Sequence, residues 1–433
     1  MIDLARLAAE PVDGRTKGMP GNIAPLPLGA IGRQGWNLLR EDLPLPVAVL
    51  RQSALAHNGD WMRRFLAASG AFIAPHGKTT MSPALFQRQI VDGAWAITIG
   101  SVQQLQVARH YGCDRVVLAN QLVGGRAIRY VLEEIAGDAA FDFYAFADSV
   151  ESVERLAAAA AAAKLPRPLQ LLVEGGFPGA RTGCRTLEGA LAVARAVAAA
   201  PQLALRGSAG YEGVLKDADD AATEARVTKF LDFLVEIALA CEAEELFAPG
   251  PILLSAGGST FYDMVVQRFA AAGINREPMV LIRSGCYLTH DSGEFVKRFN
   301  RIRERSPSID ALGPGLRPAL EVWAYVQSRP EPTKALLTMG RRDVSFDQHL
   351  PQPVAWFRPG GNAALPQPVA PGHVVTELND QHCHLTVPAD SPLAYGDMVA
   401  FGISHPCTTF DKWQLLCVVD DRYDVVDAVR TYF

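Results

Sequence analysis

No apolar stretch in this 433-residue chain reaches the ~18 residues that a membrane-spanning helix needs. The best candidate, residues 191–205, is interrupted by Arg195 and Pro201. An excess of positive charge is also missing: 41 Lys and Arg face 46 Asp and Glu, a formal charge of −5. General attraction to phosphate backbones or anionic lipid is therefore not expected, and neither nucleic acid nor membrane is expected as a partner. The first twenty residues carry scattered charges and no apolar core of the signal-peptide kind. Seven cysteines over this length form no dense framework, and the odd count suits a reducing compartment. A soluble, cytoplasmic protein is the expectation. With 49% hydrophobic and 20% charged residues, the composition is that of a globular chain and leaves no room for a mainly disordered or fibrous one.

From about residue 46 short apolar runs alternate with helix-like segments. The runs are VAVL (47–50), AFIAP (71–75), AITIG (96–100), RVVLAN (115–120), FDFYAFAD (141–148), LQLLVEGG (169–176), LALRGSAGYEG (203–213), PILLSAGG (251–258) and PMVLIRSG (278–285). The seven alanines at 157–163 between two of these runs have no better home than a helix. Such alternation predicts buried parallel strands in an α/β, TIM-type (β/α)8 barrel with one strand to spare, an open doubly wound sheet being the alternative. After roughly residue 305 the runs become strand-like and are separated by Pro- and Gly-rich joints, which predicts a C-terminal, mostly antiparallel β-domain. The expected domains are a barrel at 46–304 and a β-domain at 305–433, with the Gly- and Pro-rich residues 1–45 packed onto the latter.

Several of the runs end in polar or Gly-rich clusters, and in a barrel all those ends meet on the C-terminal face, where active sites are built. One of them, Ala74-Pro75-His76-Gly77-Lys78-Thr79-Thr80, delivers a lysine to that mouth. Lysine forms Schiff bases when desolvation lowers its pKa; a solvated loop lysine is the alternative. Ser255-Ala256-Gly257-Gly258-Ser259-Thr260 and Arg283-Ser284-Gly285-Cys286-Tyr287 follow consecutive strands and offer free N–H groups and hydroxyls to an anion. Together these turns match the phosphate site that barrels place after their last strands. A strand-end lysine and a phosphate cradle in one barrel imply pyridoxal 5′-phosphate.

On these motifs the chain resembles the fold type III pyridoxal phosphate enzymes, and within them the D-serine dehydratase and D-threonine aldolase group related to alanine racemase. The resemblance implies that Lys78, in Pro-His-x-Lys-Thr, carries the cofactor. Arg181, in Arg-x-Gly after Glu174-Gly175, would lie near its phenolic oxygen, and Tyr211, in Gly-Tyr-x-Gly, against its ring. Gly258, Ser259, Gly285 and Cys286 would bind its phosphate, and Arg283 would face the pyridine nitrogen and keep it unprotonated. The group usually has Arg before Pro-His and His after Lys-Thr, where this chain has Ala74 and Thr80. Its usual Glu-Glu-His-Gly is here Asp380-Gln381-His382-Cys383.

His405-Pro406-Cys407 and His382-Cys383-His384 form a second constellation. In an extended segment residues two apart share a side, so His405 and Cys407 can reach one ion, as can His382 and His384. Imidazole with thiolate suits zinc; packing and surface residues of a β-domain are the alternative. The resemblance favours metal, because the dehydratases carry His-x-Cys as ligands here and the aldolases typically His-x-Asp. His382 would be a catalytic substrate contact or a further ligand, and His384 structural. Asn120-Gln121 touches substrate or cofactor, or caps a helix. Cys113, Cys184, Cys241 and Cys417 read as buried small hydrophobes, and the remaining histidines as surface or core residues.

The function these readings imply is pyridoxal phosphate- and metal-dependent dehydration and deamination of a D-3-hydroxyamino acid, by a homodimer. D-threonine aldolase and amino-acid racemase chemistry are the enzymatic rivals. A small non-enzymatic pyridoxal phosphate carrier is the third, and the long β-domain argues against it.

Overall fold

The computed structural model describes residues 2–433, which divide into two compact units. The first takes residues 63–78 and 89–285; the second takes 2–62, 79–88 and 286–433. No helix of the described residues is long and apolar enough to cross a membrane.

The first unit is an eight-stranded parallel sheet. Its strands are β1 (Phe72–Ile73), β2 (Ile97–Ile99), β3 (Arg115–Gln121), β4 (Asp142–Ala147), β5 (Leu169–Glu174), β6 (Leu203–Ala209), β7 (Ile252–Ala256) and β8 (Pro278–Ile282). The order runs β1-β8-β7-β6-β5-β4-β3-β2. The sheet closes on itself, since His76 bridges Thr98, Trp95 N–H bonds Ile73 O and Thr98 N–H bonds Pro75 O. The interior is packed rather than hollow: Ala74, Val117, Tyr144, Phe146, Leu172, Leu253 and Leu281 belong to one buried cluster. Closure also explains a glycine. A Cβ on Gly207 would lie 1.8 Å from Leu253 O on the neighbouring strand, so only glycine lets β6 approach β7 there.

The alanine run lies in the helix Val150–Ala163, which Ser149 caps by accepting from the Ser152 N–H. Val153, Leu156 and Ala160, three and four residues apart, form its buried stripe.

In the second unit the strands are β9 (Leu320–Glu331), β10 (Lys334–Leu337), β11 (Gln352–Phe357), β12 (Val374–Leu378), β13 (Cys383–Thr386), β14 (Met398–Gly402), β15 (Leu415–Val419) and β16 (Val425–Arg430). Its main path, starting from the short strand Gln367–Pro368, is β11-β14-β9-β10-β13-β12, and each of those pairings is antiparallel. Val47–Arg51, counted in the sequence among the barrel strands, lies in this sheet, antiparallel to β9 and parallel to β15. It is the strand to spare. Val47 to Leu50 are all buried, so the run has no polar face to distinguish a central sheet strand from a barrel strand.

Candidate active site

In the first unit Lys78 lies in a single 3-10 turn, Gly77–Thr79, that follows β1. The residue is exposed. What marks the position is its cationic company. Burial first, then the positive charges of Lys78, Arg283 and Arg181, hold His76 well below its ordinary pKa, which keeps the imidazole neutral at pH 7. The Nδ1 atom of His76 is buried and has no hydrogen-bond partner.

Arg181 is carried by the loop after β5 and lies over the ring of Tyr211, 4.6 Å from its centroid. That loop is folded onto one side chain: the Arg185 guanidinium donates to Ala180 O at 3.3 Å, Thr182 O at 2.9 Å, Gly183 O at 2.7 Å and also to Arg181 O. Gly183 N–H is fixed by Asp148 at 2.9 Å. Glu174, at the end of β5, accepts from Gln121 Nε2 at 2.5 Å. Burial raises the Glu174 carboxyl above its ordinary range, more than Gln121 and Thr182 lower it. Gln121 is thus a partner of Glu174 rather than a helix cap.

The turns after β6, β7 and β8 are tied together by Glu212 and Arg283. Glu212 is fully buried and accepts from Gly257 N–H at 3.0 Å and Gly258 N–H at 2.7 Å. Arg283, also buried, donates to Ser255 Oγ and to Gly210 O, each at 2.5 Å. Its guanidinium lies 5.3 Å from the Phe146 ring centroid. Burial lowers the Arg283 pKa, opposed by Glu212 and Glu174. Ser284 Oγ closes the set by donating to Gly258 O at 2.9 Å. A Cβ at Gly258 would meet the Tyr211 ring at 2.8 Å, and one at Gly213 would meet the Tyr211 hydroxyl at 2.5 Å. The two glycines therefore make room for Tyr211.

His405 and Cys407 lie in the second unit. His405 is the N-cap of a short helix, Pro406–Phe410, and not part of an extended segment. Proline at the first helical position pre-sets that turn. His405 Nδ1 bonds Asp347 Oδ2 at 2.6 Å, and Asp347 Oδ1 accepts from Thr408 at 2.7 Å. Burial opposes a charge on His405, but Cys407 and Asp347 outweigh it and raise the imidazole to about 9. Contact with Cys286, helped by His405 and Thr79, holds the Cys407 thiol well below its ordinary value. Cys407 Sγ lies 3.6 Å from Thr79 Oγ1 and 3.9 Å from Cys286 Sγ. Cys286 thus stands beside a sequence-predicted metal ligand. His382 is exposed in the turn before β13, while His384 is engaged by Asn379 at 2.8 Å. Among the described residues no three His, Cys, Asp or Glu side chains form a metal-binding group.

Residues 50–265 match the family model "Alanine racemase, N-terminal domain", and residues 319–419 match "Putative serine dehydratase domain". The chain belongs to the fold type III pyridoxal phosphate enzymes. A curated relative, 3-hydroxy-D-aspartate aldolase of Paracoccus denitrificans (strain Pd 1222), is 24% identical over 311 residues, 72% of this chain and 75% of that protein. Among solved structures, D-threonine aldolase from Filomicrobium marinum is similar at a TM-score of 0.72 and 20% identity, covering 92% of this chain and 96% of that one. D-threo-3-hydroxyaspartate dehydratase from Delftia sp. HT23 is similar at 0.70 and 18%, covering 92% and 99%. The dehydratase is also known as a cysteine-to-alanine mutant in the metal-free form.

For a fold type III enzyme the cofactor to be accommodated is anionic, and the first unit fits it: the positive charges of Lys78, Arg283 and Arg181 act on His76, whose buried Nδ1 has no partner. Gly258 N–H is already held by Glu212, which leaves Ser259 and Gly285, of the phosphate donors expected from the sequence, in this unit. The second unit fits a metal through chemistry: Asp347 occupies Nδ1 of His405, leaving Nε2 to a metal, the usual carboxylate–histidine arrangement. With Cys407 this makes two protein ligands, so an ion there would have positions open to substrate. Sequence reasoning did not single out Glu212 or Asp347. Glu212 was legible within Gly-Tyr-Glu-Gly; Asp347, 58 residues from His405, had no local signal.

Proposed function

We propose that the chain dehydrates and deaminates a D-3-hydroxyamino acid to a 2-oxo acid and ammonia, with pyridoxal phosphate on Lys78 and a divalent ion, zinc in preference to magnesium, on His405 and Cys407. The observation that carries the reading is the His405–Cys407 pair with Asp347 behind its imidazole. An aldolase of the group is expected to have aspartate in place of Cys407. The metal-free cysteine variant of the neighbouring dehydratase supports giving Cys407 a metal.

Pyridoxal phosphate supplies, when bound, an aldehyde for the substrate amine and a ring that acidifies Cα–H. A divalent ion supplies Lewis acidity to the β-hydroxyl, which is otherwise a poor leaving group. Lys78, once its amine is free, serves as the base that takes the Cα proton. Arg283 is pinned by Ser255 and Gly210, so it offers a fixed positive charge and no proton to a ring nitrogen facing it. That restraint places the burden of β-hydroxyl departure on the metal side. Arg181 and Tyr211 orient the cofactor, and His382 contacts substrate. A cytoplasmic homodimer is part of the same reading.

Retro-aldol cleavage is the second reading, favoured by the likeness to 3-hydroxy-D-aspartate aldolase and D-threonine aldolase. Chelation tests the metal requirement. It should abolish oxo-acid formation from D-serine-like substrates, while borohydride reduction followed by peptide mapping still marks Lys78. Full oxo-acid release after chelation, or a label on another lysine, would overturn the proposal.

A further inference from the structure

We propose that Cys286 and Cys407 form a reversible intramolecular disulfide when the protein meets hydrogen peroxide, and that the bond removes Cys407 from the metal. The second half rests on the metal role given to Cys407 above; the first does not. Both sulfurs belong to one unit, Cys286 in the 3-10 turn Cys286–Leu288 and Cys407 in the helix Pro406–Phe410. They stand 3.9 Å apart, with Thr79 Oγ1 at 3.6 Å from one and 3.9 Å from the other. A disulfide has an S–S distance of about 2.05 Å, so the sulfurs must approach by roughly 1.9 Å to bond. Cys407 is half-buried and the other six cysteines are buried, so the oxidant reaches Cys407 first.

The chemistry balances with peroxide alone. The Cys407 thiolate attacks the O–O bond, which breaks to leave a sulfenic acid, and the departing hydroxide takes a proton to become water. The Cys286 thiol then attacks the Cys407 sulfur, the S–O bond breaks, and the hydroxide leaves as water with the thiol proton. Two thiols lose two electrons and two protons, and one peroxide becomes two waters. A sulfur in that bond is no longer an anionic ligand, so a metal held through it is released. A dithiol reductant reverses both effects.

The test uses the full chain, freed of metal, reduced, and exposed to one equivalent of peroxide. Free thiols should fall from 7 by two, a non-reducing digest should contain one cross-linked species joining the peptides of Cys286 and Cys407, and dithiothreitol should restore both. The near-ultraviolet cobalt–thiolate absorption of the reduced protein with Co²⁺ should vanish on oxidation and return on reduction. Cys286→Ser should lose no second thiol and should keep a sulfenic acid on Cys407 that dimedone traps. Oxidation that stops on Cys407 in the unaltered chain, or links other cysteines, overturns the disulfide. A cross-link that forms in a protein with no cobalt–thiolate absorption when reduced overturns the metal half and leaves the disulfide standing.

Discussion

Replacing Glu212 by glutamine keeps the shape of the side chain and removes its charge. The carboxylate accepts two backbone N–H bonds, from Gly257 at 3.0 Å and Gly258 at 2.7 Å, in a place with no exposure to solvent. A glutamine can accept one of them; its amide group then points a donor at the other N–H. One charge-assisted bond is lost and one buried donor is left without an acceptor, costs of about 1–3 kcal/mol for each. Because the turn can relax, a net of roughly 2–3 kcal/mol is expected, a 30- to 150-fold change in local opening at a tenfold change per 1.4 kcal/mol. Amide hydrogen exchange at Gly257 and Gly258 reads this directly and does not require two-state unfolding of a two-unit chain. Pyridoxal phosphate should also dissociate more readily, since the turn that carries Ser259 is no longer fixed. Unchanged exchange at both glycines, or tighter cofactor binding, would refute the reasoning that Glu212 holds this turn for the cofactor.

Asp347→Ala should weaken metal binding 10- to 100-fold, the usual effect of losing a carboxylate behind a ligating histidine, while pyridoxal phosphate binding is retained; equilibrium dialysis against zinc checks the first and titration with pyridoxal phosphate, followed by its absorption, the second. Arg51→Met should lower stability by about 2–3 kcal/mol, seen in the denaturant midpoint, because Glu321, 14% exposed, loses its cation at 3.2 Å. Burial raises the pKa of Glu174 above the ordinary value of 4.5, so from 4.5 upward the folded chain holds a proton that the unfolded chain has released. Stability from this group is full below 4.5 and declines as pH rises through the raised value; Glu174→Gln should remove that decline from a stability-versus-pH curve.

The barrel was legible because seven Gly- or polar-ended runs recur between helical segments, and burial on both faces leaves continuous apolar strands. Val47–Arg51 was not, because a fully buried run reads the same in either sheet. His405 and Cys407 were legible as a pair but were assigned to an extended segment; Pro406 between them signals the first turn of a helix. Asp347 and Cys286 came to the pair only through tertiary structure, 58 and 121 residues away in sequence. Lys78 was found from its strand-end position, whereas its exposure depends on the packing of residues far along the chain.

The proposed chemistry is tested most directly by the carbon balance of D-threo-3-hydroxyaspartate in the protein loaded with pyridoxal phosphate and zinc, followed by nuclear magnetic resonance. Dehydration predicts oxaloacetate and ammonia in equal amounts, with no glycine. Glycine and glyoxylate as the main products would contradict it and assign the site to cleavage of the Cα–Cβ bond.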